Sequence, residues 1–146
     1  MRTFILILII LASGVIPASG SMHSKIDKGQ YLSASIIGRW SAKDINSNFT
    51  LESATDYNPD GSTEMVAHIT TQNEHITITV KGTWKISNRK LIVKATESSH
   101  PQILPVGVVT EDEIVSISSD KMILISEDGE RLVRDRVIPT QNKSNP

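Results

Sequence analysis

The chain contains no cysteine. That excludes a disulfide framework, a thiol nucleophile, a cysteine-bound zinc and a lipid-modified cysteine. Aromatic residues make up only 4% of it, which leaves few rings on which bases or sugars could stack. Neither sign of charge dominates, with 15 basic residues against 16 acidic ones. So balanced a chain has no bulk attraction for nucleic acid or anionic lipid, and no nucleic-acid partner is expected. Two catalytic signatures are also missing: the Gly-x-Ser-x-Gly nucleophile elbow and the glycine-rich phosphate loop. What is there is a chain of 146 residues. It is long enough for one domain that buries roughly two-thirds of the surface its unfolded form exposes.

The first twenty residues read as an address. Met1, Arg2 and Thr3 make a short, positively charged start, and residues 4–12 are an unbroken apolar run that continues in character to Ile16. Pro17 ends the run, and Ala18, Ser19 and Gly20 supply the small residues that a signal peptidase recognises. The apolar stretch is about 13 residues, whereas a spanning helix needs roughly 20. Residues 1–20 are therefore expected to be a secretory signal cut before Ser21, with no stable membrane span afterwards and the product periplasmic or secreted. Cleavage of 20 residues from 146 leaves 126, and the loss of Arg2 takes the formal charge from −1 to −2. Export without cysteine points towards a bacterial envelope protein.

After the signal no helical period is sustained, and period-two alternation takes over. It is cleanest at residues 76–86, where Ile76, Ile78, Val80, Trp84 and Ile86 share one face and Thr77, Thr79, Lys81, Thr83 and Lys85 the other. One packed and one wet face is the antiparallel pattern. Gly82 lies on the packed face, where it leaves room for a bulky neighbour or marks a bulge. Seven further stretches follow the same logic: 38–43, 49–58, 63–71, 90–96, 113–118, 121–126 and 130–136. Asn58, Pro59, Asp60 and Gly61 turn the chain between two of them, and Asp128 and Gly129 between the last two. Nearly all connections are of hairpin length. The expected fold is all-β: an antiparallel up-and-down barrel of about eight strands, closed because closure removes edges. Residues 21–36 form a lead that could include a short helix capping one barrel end. Residues 37–136 form the barrel, and 137–146 a loose polar tail.

Gly38, Arg39 and Trp40 at the head of the first strand look like the Gly-x-Trp signature of lipocalins. The order of features resembles the small bacterial lipocalin-like domains. It runs Gly-x-Trp, a turn such as Asn58-Pro59-Asp60-Gly61, then a Gly-x-Trp-x-Ile segment, here Gly82-Thr83-Trp84-Lys85-Ile86. The chain ends in two strands joined by an Asp-Gly turn. The likeness covers residues 37–136. It implies a closing arginine over the first-strand tryptophan, with Arg134 the first candidate and Arg136 the second, and Gly38 and Trp40 in the same closure. The long C-terminal helix and the disulfide of that family have no counterpart here.

The resemblance also implies a barrel interior that takes a small hydrophobic or amphipathic molecule. The lining would be Phe49, Leu51, Ser53, Thr55, Tyr57, Met65, Ile69, Ile78, Val80 and Trp84. Ser53 and Thr55 are in phase with Leu51 and Tyr57. If they face inward, they leave space and hydroxyls inside; if the strand bulges, they face water. No catalytic residue is expected. Glu111, Asp112 and Glu113, like Glu127 and Asp128, read as solvated carboxylates in loops beside strand ends, with no apolar pocket to raise a pKa. His68 and Glu64 share a strand face, but no His-x-His pair or third ligand accompanies them, so no metal and no cofactor is expected. The alternative reading is a filled barrel that acts through its surface as an interaction or inhibitor module.

Overall fold

The computed structural model describes residues 28–139. The expected signal, residues 1–20, and the end of the polar tail lie outside the described residues. A helix, α1 (Lys28–Ile36), precedes eight strands: β1 (Gly38–Ile45), β2 (Thr50–Tyr57), β3 (Ser62–Thr70), β4 (His75–Ser87), β5 (Lys90–Ser98), β6 (Val109–Ile117), β7 (Lys121–Ile125) and β8 (Arg131–Arg136). They close into one barrel in sequence order. Every neighbouring pair is antiparallel, including β1 with β8. This is the up-and-down barrel that the alternation implies. No helix among the described residues is long and apolar enough to cross a membrane.

Turn chemistry fixes the hairpins. Asp60 accepts hydrogen bonds from the Ser62 amide and hydroxyl, and Gly61 takes φ +83°, a conformation that costs glycine little. Between β4 and β5 the two central residues, Asn88 and Arg89, both have positive φ, as a type I′ hairpin requires. Gly82 marks a bulge: the β4–β5 register shifts between Lys81 and Gly82. A Cβ there would collide with the Lys94 carbonyl oxygen, so the missing side chain lets two backbones close up.

One strand begins earlier than the sequence implies. β6 starts at Val109, not at residue 113, and pairs Leu91 with Asp112 and Lys90 with Glu113. The three carboxylates at 111–113 are therefore not in a loop. Glu111 faces outward, where it pairs with Lys90 at 3.1 Å, while Asp112 faces inward and is 7% exposed. Solvated-looking charge masked the alternation of a strand with one wet face.

The barrel has two unlike ends. Loops 58–61, 88–89 and 118–120 and helix α1 lie at one, which is closed. Its core is Ile36, Trp40, Tyr57, Trp84, Leu91, Ile114, Met122 and Leu124, with Leu32 of α1 packed against it. At the other end are loops 46–49, 71–74, 99–108 and 126–130. A smaller cluster of Ala67, Ile78, Val80 and Ala95 lies on that side, with half-buried Leu51, Met65, Ile69, Ile76, Ile103 and Leu104 around it. Closure of β8 on β1 rests on two residue pairs, Trp40–Arg136 and Ser41–Asp135. A hydrogen bond from the Val137 amide to the Arg39 carbonyl continues it at the closed end.

Candidate functional site: the open end of the barrel

The closed end shows what the interior stands on. The Trp40 indole N–H donates to the Ile36 carbonyl at 2.7 Å. The Arg136 guanidinium lies 4.1 Å from the centre of the Trp40 ring. It donates to the Ser35 and Ile37 carbonyls at 2.6 and 2.9 Å. One cation thus covers an indole face and satisfies carbonyls where α1 ends, a position the helix dipole also favours. Gly38 belongs to the same device: it sits at φ +124°, and a Cβ there would stand 2.7 Å from Arg136 Nη1. Of the two arginines expected over Trp40, it is Arg136 and not Arg134 that lies there. Arg134 is one inward position further up β8, and its guanidinium donates to the Tyr57 hydroxyl at 2.5 Å.

Strand β2 pairs with both neighbours without a shift, so it does not bulge. Its inward row is Leu51, Ser53, Thr55 and Tyr57, with Thr55 8% exposed and Ser53 half-buried. The register sets Ser53 between Ala42 and Ala67, which makes a band of small side chains above the packed base. Met65, Ile69, Leu51 and Ile76 face inward yet stay half-buried, while Ile78 and Val80 are buried. Phe49 stands just before β2 in the loop at the mouth and is half-buried. Tyr57 and Trp84, expected among the lining residues, belong to the base. Their rings meet edge to face at 5.6 Å, and the Trp84 indole N–H donates to the Asn58 carbonyl. Only the Tyr57 hydroxyl is presented towards the interior, to Arg134.

The interior also holds a carboxylate that the sequence pattern did not single out. The Asp112 carboxylate makes no hydrogen bond or ion pair with any described residue. Among the described residues no fully buried side-chain oxygen or nitrogen lacks a partner, so the Asp112 oxygens are not fully enclosed. Burial pushes its carboxyl above the ordinary range; Arg134 pulls the other way, and Glu127 and Asp128 add to the rise. Burial likewise pushes the Tyr57 phenol up, against the pull of Arg134. The signal that finds Asp112 is the in-phase triplet Thr110, Asp112 and Ile114.

Elsewhere the surface offers less. Two depressions, of about 240 Å³ lined by Thr79, Lys81, Glu97, Ser98 and Ser99, and of about 330 Å³ lined by Lys90, Glu111, Glu113, Ile125, Ser126 and Glu127, lie on the outer wall. The rings of His68 and His75 stack at 5.7 Å, and each Nδ1 meets a threonine hydroxyl. No group of three metal-ligating side chains forms among the described residues.

Fold and site together define the class: an eight-stranded closed barrel, sealed at one end by a helix and an arginine–tryptophan pair and lined at the other by small and half-buried apolar side chains. No protein-family model matches the chain, and no curated protein matches it significantly.

Proposed function

We propose that the protein is an exported, non-catalytic, lipocalin-like barrel that takes one small hydrophobic or amphipathic molecule through its open end. The observation that carries this reading is the uneven burial along the inner wall. At the base, Trp40, Leu91, Ile114, Met122 and Leu124 are at most 1% exposed, whereas towards the other end only Ala67, Ile78, Val80 and Ala95 are buried, and Leu51, Met65, Ile69 and Ile76 face inward and keep part of their surface open. Eight-stranded barrels are either just filled by side chains or hold one small ligand, and unfinished packing at one end favours the second. Exposed Ile45, Val106, Val108 and Val109 stand near the same end, where an apolar ligand would enter. Export rests on the signal pattern of residues 1–20.

A titration with a neutral naphthylamine dye tests the reading. We expect saturable uptake at one site, with the dye displaced by long-chain alcohols. Native mass spectrometry of protein from its own host should then reveal a co-purifying small molecule. A protein that takes up no dye and carries no such molecule overturns the proposal. One observation favours a second reading: the two depressions lie outside the barrel, as suits a filled barrel acting through its wall.

A further inference from the structure

We propose that the interior selects a ligand with a protonated amine, held by Asp112 and drawn in by an acidic mouth. This rests on the reading that the open end binds an amphipathic molecule, and it adds the chemistry of the polar head. Two independent observations carry it. The first is Asp112 itself. It is 7% exposed, its carboxylate has no hydrogen-bond or ion-pair partner among the described residues, and its oxygens are not fully enclosed. A buried, unpaired carboxylate is costly, and a cation delivered by a ligand relieves that cost.

The second is the charge of the mouth. The four loops at the open end carry Glu74, Glu127, Asp128 and Glu130 and no lysine or arginine. Asp44, near the end of β1, lies close enough to Glu130 to help hold that carboxyl above its usual range, after burial and Asp128. An opening lined by one sign of charge concentrates ligands of the other. The cations nearby are engaged or turned away. Lys43 pairs with Glu52 at 2.5 Å, and Arg131, exposed, stands opposite Ile125 on the outer face. Inside, Arg134 is held by the Tyr57 hydroxyl and forms no ion pair with Asp112. A ligand's apolar body would lie along Leu51, Met65, Ile69 and Ile76, with its ammonium at Asp112.

Three probes with one tail separate the possibilities: dodecylamine, dodecanol and dodecanoate, each kept below its micelle concentration. The expected order is amine over alcohol over carboxylate, with the amine roughly tenfold or more tighter than the alcohol. In Asp112→Asn the amine and the alcohol should bind alike. Should that variant not fold, Glu127→Gln with Asp128→Asn, both exposed, should shrink the preference about two- to threefold and weaken its salt dependence. Equal binding of all three probes, a preference for the carboxylate, or an amine preference that survives in folded Asp112→Asn overturns the inference while leaving the binding reading intact. No binding of any probe overturns both.

Discussion

At the closed end of the barrel the indoles and the closing arginine all have fixed partners. The Trp40 and Trp84 indoles donate to backbone carbonyls, and Arg136 binds two more while covering Trp40. Towards the open end buried Ala67, Ile78, Val80 and Ala95 alternate with half-buried Leu51, Met65, Ile69 and Ile76, and the loops are acidic; the inward Asp112 carboxylate above Ile114 has no hydrogen-bond or ion-pair partner among the described residues. The same chain, the same pleat and the same strands produce both. The difference lies in which inward positions carry large apolar side chains and which carry Ala42, Ser53, Thr55 and Ala67. Packing to interior density stabilises the base, and the contacts left unmade above it are what a ligand could supply.

The comparison breaks most readily at the two arginines, which are two residues apart on β8. Arg136→Ala removes two charge-assisted hydrogen bonds and a cation–π contact, and should cost roughly 2–4 kcal/mol. In a domain of this size that lowers Tm by roughly 10 °C or more. Arg134→Ala loses one bond to the buried Tyr57 phenol and a longer contact, 6.0 Å, with its ring, and should cost roughly 1–2 kcal/mol. Thermal unfolding of the two variants decides the matter. Equal losses would mean that Arg134 on the Tyr57 hydroxyl holds the barrel as firmly as Arg136 does over Trp40.

Asp112 gives an effect of middling size and a definite sign in pH. Burial raises its folded-state pKa above the ordinary value of 3.8. As pH rises past that value the unfolded chain releases this proton first, so stability falls until the folded group has ionised as well. Asp112→Asn removes that component. It should be more stable than the parent by roughly 1 kcal/mol at neutral pH, with the gain shrinking as pH falls towards about 4 and absent below it. The carboxyls of Glu52, Asp60 and Asp120 are held low by their hydrogen-bond partners and lose stability on acidification. They are common to both proteins and cancel. Urea titrations across that range give the answer, and a difference that ignores pH would contradict the assignment of Asp112 as a buried, unpaired carboxylate.

How legible these features were in the sequence follows from the physics of each. Alternation from Ile76 to Ile86 reads directly as a strand because one face is apolar and the other polar, and hairpin-length turns give the strand order. Gly38 and Trp40 signal the base, but choosing between Arg134 and Arg136 takes more than alternation. Both face inward, and only the position of α1 decides which guanidinium meets carbonyls. Asp112 was hidden for a different reason. Flanked by Glu111 and Glu113, it belongs to a run of charge that looks solvated throughout, although a strand sends alternate residues to opposite faces whatever their polarity. The inward hydroxyl of Thr55 was legible only as one of two alternatives, because a single bulge would have reversed it.

The smallest expected effect on stability is the sharpest probe of the contrast between the ends. Ser53 sits between Ala42 and Ala67 on the inner wall and is half-buried. A leucine there projects into the space above the base. If that space is open, Ser53→Leu should change stability by no more than about 0.5 kcal/mol, yet abolish uptake of the naphthylamine dye by filling its site. Thr63 is the counterpart nearer the base: it is 7% exposed, its hydroxyl donates to the Asp56 carbonyl, and it stands between Tyr57 and Gly82. Thr63→Leu adds bulk beside the packed base and removes that hydrogen bond, and should cost roughly 1–3 kcal/mol. The two enlargements go to opposite ends of the barrel, and Thr63→Leu loses a hydrogen bond besides. If Ser53→Leu proves as costly as Thr63→Leu, the open end is packed like the closed one, and the protein must work through its outer wall.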